Sequence, residues 1–463
     1  MEYTLSKELF RDNFFVDNGT RFRHTPGKKF KLFPFITQPN SAAVLDLDQL
    51  VGRFLCQIEC KKLEPLKVND LVDLAKEVTD IATGQEELFY EVVSHMFFYS
   101  DGRIRPLNLQ MLEQIPCEES SERRIADYLV DVLGDRTVLK SQIEKANQHL
   151  FSSSNVFERL ILSKLSAKTN IDDTVMPYFR VIDTVKKLYE EDFAYILETQ
   201  NRIKDYLVPL LEFYFFTYTA QACLQLNRFM DGERSRNIPL YFCLGWEKTS
   251  QSRQCFTEGW QQLQNAIEKI FAHAVVLEIL NQTPDGTFPV DYIELGKIIR
   301  EAPELDEQIA MQIANLTDCY REAITDCPEM RDLQRVTSLQ GKTASEIKYL
   351  YDSVRVQFEN TGRSRAYNSY ANKFENYCHK YLKNRGRSGL MLNLSEETLI
   401  FLTKICIKNE EQMRLKDVFQ AFENRGVFLD SISKEQVASY YEKLNLIEKK
   451  SDSGDAKYVK RIL

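Results

Sequence analysis

From residue 47 onward, apolar positions in this chain recur three and four apart. Leu47, Leu50, Val51, Phe54, Leu55 and Ile58 would line one side of a helix, because 3.6 residues per turn bring those positions together. The same period returns over Asn69–Ile81, Glu86–Phe98, Val156–Leu165, Tyr178–Leu197, Arg202–Leu226, Cys255–Leu280 and Leu305–Ile324. Clusters of turn formers interrupt it at Asp231–Pro239 (DGERSRNIP) and Thr283–Pro289 (TPDGTFP). No stretch of fixed length repeats, which argues against a solenoid. The pattern predicts a mainly α protein whose multi-helical body covers residues 41–390.

The two ends break the pattern. Gly19–Phe35 (GTRFRHTPGKKFKLFPF) interleaves cations and aromatics around a TPGKK turn, which predicts a basic β-hairpin within residues 1–40. From about Thr343 a long basic helix is expected to run to Lys383 and to end in an NRGRSG linker at 384–389. Ser395 then caps a helix with Glu396 and Glu397 in its first turn. Arg414–Asn424 forms a second helix, and Ser433 caps a third that reaches Leu444. The last stretch, Leu446–Leu463 (LIEKKSDSGDAKYVKRIL), reads as a basic hairpin with Ser451–Ala456 at its tip. Three helices and a terminal hairpin predict a winged-helix domain over residues 391–463, with the hairpin as its wing.

Composition narrows the function classes. At 463 residues the chain exceeds one ordinary core, and its formal net charge of -8 means that any contact with nucleic acid must come from local patches. The opening MEYTLSKELFRDNFF mixes charges into its apolar residues, so no signal peptide is expected there. Leu207–Leu226 is long enough to span a bilayer, but Glu212, Gln221 and Gln225 favour a buried core helix. The ten cysteines never form CxxC and the five histidines do not cluster with them. Reduced thiols in a cytoplasmic protein, with no metal and no cofactor, are the expectation.

Within Arg363–Arg387 seven cations, Arg363, Arg365, Lys373, Lys380, Lys383, Arg385 and Arg387, face one acid, Glu375. Lys373, Lys380 and Arg387 stand seven apart, a spacing that suits a row of phosphate contacts as well as a solvated face. Tyr367, Tyr370, Phe374, Tyr377 and Tyr381 recur at 3, 4, 3, 4 spacing and predict a packing stripe. The wing adds Lys449, Lys450, Lys457 and Lys460 (with Arg461) against Asp452 and Asp455, although residues 395–463 carry twelve cations and twelve acids in all. A neutral module with a basic wing suits protein docking or DNA contact through the wing alone. The basic N-terminal stretch is a third place for DNA. Pro239–Trp260 (PLYFCLGWEKTSQSRQCFTEGW) holds both tryptophans, and Trp246, Glu247, Lys248, Arg253 and Trp260 form its candidate partner-binding set.

Catalytic motifs fail on their spacing. Gln340–Thr343 (QGKT) resembles the end of a phosphate loop, but Val336 stands where that loop needs its first glycine. Asp48 with Glu59 and Lys61 has the residue types of a metal-dependent nuclease, yet the helical period between them turns Glu59 and Lys61 to different sides. Glu346 and Lys348 fail in the same way, and no nucleophile elbow or HExxH is present.

The PLYFCLGWEKTSQSR…GW block and the KKSDSGDAKYVKRIL tail resemble the G subunit (DptG, also called DndG) of bacterial phosphorothioation-dependent restriction systems, and chain length and helical character agree. The resemblance implies a cytoplasmic anti-phage defence protein that acts with an ATPase-like and a helicase-like subunit on double-stranded DNA lacking sulfur in its backbone. It supplies no catalytic residue. The expected function is therefore a non-catalytic subunit that bridges partners and holds DNA through local basic patches, with no membrane association. A winged-helix transcriptional regulator and a purely structural helical scaffold are the alternatives.

Overall fold

The computed structural model describes residues 3–16, 21–38, 47–62, 66–77, 79–105, 107–118, 120–153, 169–170, 176–199, 203–244, 253–284, 288–337, 340–386, 389–449 and 457–462. The chain is mainly helical and divides into two units. One comprises residues 1–43, 176–185 and 216–463; the other comprises 44–175 and 186–215. The 1–40 and 391–463 segments both belong to the first unit.

The first unit is organised by the helix Ile270–Leu280 (IFAHAVVLEIL), all of which is buried. With no polar side to turn outward, it packs against Lys342–Asn360 and Ser364–Cys378. Of its two polar residues Glu278 is well partnered, whereas His273 is partnered on one side only, its buried Nε2 having no hydrogen-bond partner among the described residues. His273 Nδ1 lies 3.1 Å from the Tyr292 hydroxyl. Glu278 accepts backbone N–H groups from Gly27, Lys28 and Phe30 on Oε2 (2.9, 3.2 and 2.9 Å) and from Lys29 on Oε1 (2.8 Å). The TPGKK turn is therefore wrapped around a carboxylate and is not the tip of a hairpin. The strands that pair at this end are Phe15–Val16 and Arg21–Phe22, and they follow a helix, Lys7–Phe14, capped by Ser6.

The apolar stretch after Leu207 lies in the helix Ile203–Leu226, and no helix among the described residues is long and apolar enough to cross a membrane. Its buried glutamines have a local purpose. Gln221 exchanges two hydrogen bonds with the Ile238 backbone, each 2.8 Å. Gln225 donates to the Arg236 carbonyl at 2.7 Å and accepts from Glu233 N–H at 2.9 Å. The turn-rich DGERSRNIP segment thus finds in these side chains the partners that a helix or sheet would have supplied.

The long basic helix expected from Thr343 is two helices, Lys342–Asn360 and Ser364–Cys378, separated by Thr361–Arg363. The NRGRSG stretch is no linker either: Leu382–Asn384 and Leu390–Leu392 pair antiparallel across it. Downstream stand the helices Glu396–Ile407, Leu415–Asn424 and Ser431–Lys443. Ser395 caps the first, its Oγ accepting from Thr398 N–H at 3.1 Å. Asp430, not Ser433, caps the third. A three-stranded antiparallel sheet places Lys457–Lys460 between Ile447–Lys449 and Gln412–Arg414, with Ile447 opposite Val459 and Val459 opposite Met413. The segment is anchored upstream, because Phe428–Leu429 pairs in parallel with Tyr241–Phe242.

In the second unit, Leu47–Ile58 packs against Leu109–Glu113 and Ser120–Leu133. Gly52 permits the approach: a Cβ there would lie 2.7 Å from the Ile115 carbonyl oxygen and 2.9 Å from that of Leu112. Val68–Glu77 and Glu86–Phe97 share a smaller core around Leu71, Val72, Val93 and Phe97. Tyr189 stacks on Phe193, and the Tyr214 hydroxyl donates to buried Asp192 at 2.7 Å.

Candidate functional site

The first question is what occupies the motif-like residues. At QGKT, Gly341 has a φ of +114°, and Lys342 and Thr343 begin a helix whose first amides point at Asp306, at 2.8 Å each. The Lys342 ammonium meets Glu307 at 2.8 Å. An internal carboxylate thus fills the place a phosphate would need, consistent with the missing glycine turn. Asp48 lies in the first turn of the twelve-residue helix Leu47–Ile58 and Glu59 follows its last residue, which makes them roughly 16 Å apart along its axis. Asp48 pairs with Lys204 at 2.7 Å and Glu59 with Lys61 at 2.8 Å. Among the described residues no cluster of His, Cys, Asp and Glu could hold a metal ion. All ten cysteines are free thiols, and only Cys60 and Cys117 are less than fully buried.

The Arg363–Arg387 cations do not form one row. Arg363 precedes the helix Ser364–Cys378 and is held by Asp326 (2.7 and 3.0 Å) and the Gln357 side chain (2.6 Å). Arg365 is exposed in the first turn, and Lys373 is half-buried on the same helix. Lys380 lies past the helix end, over the rings of Tyr377 and Tyr381 at 5.1 and 5.4 Å. Lys383 is exposed on the following strand, and Arg385 donates to the Asn393 side chain at 2.8 Å. Arg387 lies outside the described residues. The seven-residue spacing loses its meaning because the helix ends at Cys378. The aromatic stripe is packing, with Tyr367, Tyr370, Phe374 and Tyr381 all buried.

In the C-terminal hairpin, Lys449 pairs with Lys457, and the Lys457 ammonium meets Glu442 at 3.0 Å. Lys460 is exposed opposite Gln412. Lys450 and the tip lie outside the described residues, as do Trp246, Glu247 and Lys248. The two described members of the candidate partner-binding set, Arg253 and Trp260, are buried within the chain. Arg253 grips Asp430 with two hydrogen bonds, 2.8 and 2.7 Å, and its Nη2 also reaches Ser433 Oγ (2.9 Å) and the Leu244 carbonyl (3.0 Å). Burial works to raise the Asp430 carboxyl, but the Arg253 and Ser433 hydrogen bonds outweigh it and hold the group at about 2. Leu244 N–H donates to Ser433 Oγ at 3.0 Å. The first turn of the helix Ser431–Lys443 is thereby bonded to Leu244 and Arg253.

The described residues bring together one set of cations that no local spacing announces. The basic N-terminal strand and the start of the helix Ser364–Cys378 meet at a cavity of about 590 Å³, whose walls include Arg21, Phe22, Arg23, Phe271, Phe358 and Arg363. Arg21 and Arg23 are exposed there. His24, also in the wall, has its Nε2 3.0 Å from the Tyr320 hydroxyl. Burial and the neighbouring Arg363 charge drive its imidazole down to about 3, against the pull of Asp326, so the ring is neutral at ordinary pH. Comparison with protein-family models and with curated proteins returns no match.

Proposed function

We propose that this chain is a non-catalytic subunit of a bacterial phosphorothioation-dependent restriction complex, which docks ATPase-like and helicase-like partners and contacts double-stranded DNA through local basic patches. The resemblance of its tryptophan block and basic tail to the G subunit of such systems supports the assignment. The order of helix, strand, helix, short strand, helix and two paired strands after Ser395 supports reading the C-terminal segment as a winged helix. The observation that carries the mode of action is the Arg253–Asp430–Ser433 cluster. A helix that reads the major groove presents its N-terminal residues to base edges, and here that turn is occupied by Arg253 and Leu244. Sequence readout by a regulator is disfavoured; a built-in module that offers exposed cations, with Lys460 on the wing and Lys383 on the separate Leu382–Asn384 strand, is favoured.

Fluorescence anisotropy with a short duplex, with and without phosphorothioate, across a salt series tests the proposal. Binding that weakens steeply with salt is expected, and Lys383→Glu/Lys460→Glu should flatten the log–log slope by about 0.9 for each phosphate no longer neutralised. Affinity that depends on base sequence would point to the regulator. No binding at low salt would leave a protein-only scaffold.

A further inference from the structure

Cys243 and Cys255 share one buried apolar cluster with Met391, and Tyr241 and Phe256 pack against it. Cys243 follows the strand Tyr241–Phe242, and its N–H donates to the Leu392 carbonyl at 2.7 Å. Cys255 immediately precedes the helical stretch Phe256–Trp260, which packs on that strand and on Leu390–Leu392. The two sulfurs are in hydrogen-bond contact, with the Cys255 thiol donating to Cys243. That bond, helped by the Arg253 and Arg385 charges, pulls the Cys243 thiol below its ordinary range against burial and the Asp430 carboxylate. Other buried thiols of the chain go the opposite way: burial pushes Cys223 and Cys378 up, as in inert structural cysteines. A thiolate beside two guanidiniums and touching a second thiol has the makings of an oxidisable dithiol, in which one sulfur attacks and the other resolves.

We propose that Cys243 and Cys255 form a reversible dithiol–disulfide site that reacts with hydroperoxides. The Cys243 thiolate attacks one oxygen of hydrogen peroxide. The S–O bond forms as the O–O bond breaks, and the departing hydroxide takes up the proton that Cys243 released. The Cys255 sulfur then displaces hydroxide from the Cys243 sulfenic acid. The S–S bond forms, the S–O bond breaks, and the Cys255 proton leaves with that hydroxide as water. Two thiols thus lose two electrons and one peroxide becomes two waters; an external dithiol reverses the change. The sulfurs have only to close to about 2.05 Å, and hydrogen peroxide, close to water in size, needs no more than a local opening to reach them. The place gives the bond a consequence. Tyr241–Phe242 pairs with Phe428–Leu429, and Leu244 bonds to Ser433, so the disulfide ties the anchor of the C-terminal segment to Cys255. The proposal does not rest on the restriction-complex reading above.

Peptide mapping of the full chain after graded hydrogen peroxide, with the remaining thiols blocked by iodoacetamide, tests it. The Cys243–Cys255 disulfide should form before oxidation of the less buried Cys60 and Cys117, and dithiothreitol should remove it. Its rate should be half-maximal at a pH below about 8.5, the value of a free cysteine. Arg385→Gln should move that midpoint up and slow the reaction at neutral pH by about threefold, because an about tenfold smaller thiolate population is partly offset by a more nucleophilic sulfur. Cys255→Ala should leave a Cys243 sulfenic acid that dimedone labels. Should either variant fail to fold, the order of oxidation and the pH profile of the parent chain still decide. Oxidation of Cys60 or Cys117 while Cys243 and Cys255 stay reduced would overturn the proposal, as would a disulfide that forms only once urea has unfolded the chain. Amide exchange over 428–443 should slow in the oxidised chain, and exchange indifferent to oxidation would refute the link to the anchor.

Discussion

Replacing Arg253 with methionine removes a guanidinium while keeping most of the stem volume, and the structure sets the size of the effect. The Arg253–Asp430 pair is bidentate, and its side chains are only 5% and 7% exposed. Asp430 would be left as a buried carboxylate without its cation, at a cost of about 3–5 kcal/mol. Asp430→Asn retains an acceptor for the cap to Ser433 N–H (2.8 Å) and leaves Arg253 with Ser433 and the Leu244 carbonyl. That change should cost about 2–3 kcal/mol. The double variant removes both charges together, so it should fall short of the sum by about 2–3 kcal/mol, whereas independent sites add to within about 0.5 kcal/mol. Urea unfolding should be paired with amide hydrogen exchange over 431–449 and 457–462, because two units need not unfold as one. Acid supplies a second check. The Asp430 carboxyl lies below its ordinary 3.8, at about 2, so its contribution is present above 3.8 and is lost as pH falls through 2. In Arg253→Met the carboxyl protonates at higher pH, and the variant's deficit should narrow on acidification. Additive single changes, or exchange in the third helix that ignores Arg253, would refute the account of this helix as docked through its first turn.

Two further outcomes follow from buried carboxylates. Glu278→Gln turns an N–H2 group toward the Lys29 amide that now donates to Oε1, so it should cost about 2 kcal/mol and speed exchange at 27–30; protection as in the parent chain would mean the turn holds without the carboxylate. For Asp291, which caps the helix Tyr292–Glu301 and pairs with Arg234 at 2.7 Å, burial outweighs the arginine and pushes the carboxyl from 3.8 up to about 6. A raised value means stability that is full below 3.8 and lost as pH rises through 6, by up to about 3 kcal/mol. Asp291→Asn removes that dependence, so the gap between variant and parent should shift in the variant's favour between pH 4 and 7, and a flat difference would show that the carboxyl ionises normally.

Helical period located most of the body because burial on one side of a helix is a local requirement. It served well for Leu47–Ile58, whose Leu50, Val51, Phe54, Leu55 and Ile58 are all buried. It misjudged the 343–383 stretch, where a Thr-Gly-Arg break falls between two helices that each keep their own period. The TPGKK turn was legible as a turn but not as a cradle, since its partner Glu278 lies about 250 residues away and looks like an isolated acid in an apolar run. Arg253 likewise read as an exposed polar residue. Nothing within a few residues of it signals that Asp430, 177 residues on, closes the pair. The cavity is the same case: Arg21 and Arg23 stood out as cations, and their meeting with Arg363 is a product of tertiary packing.

Four carboxylates of the first unit, three of them buried, share a logic. Glu278, Asp291, Asp306 and Asp430 each use a carboxylate to finish a turn or a helix start, and for Glu278 and Asp306 a distant segment contributes that turn or start. Such joints tie segments of the first unit together through carboxylates whose acceptor capacity is already used. Arg363, Arg253 and Lys342 are committed in the same way, each to an acid within 3 Å. Among the described residues, Arg21, Arg23, Lys383 and Lys460 carry no such commitment and are still able to meet an external phosphate. Under the proposed function that division matters, because the field of a chain of net charge -8 repels DNA at long range and contact would depend on uncommitted cations where the duplex touches.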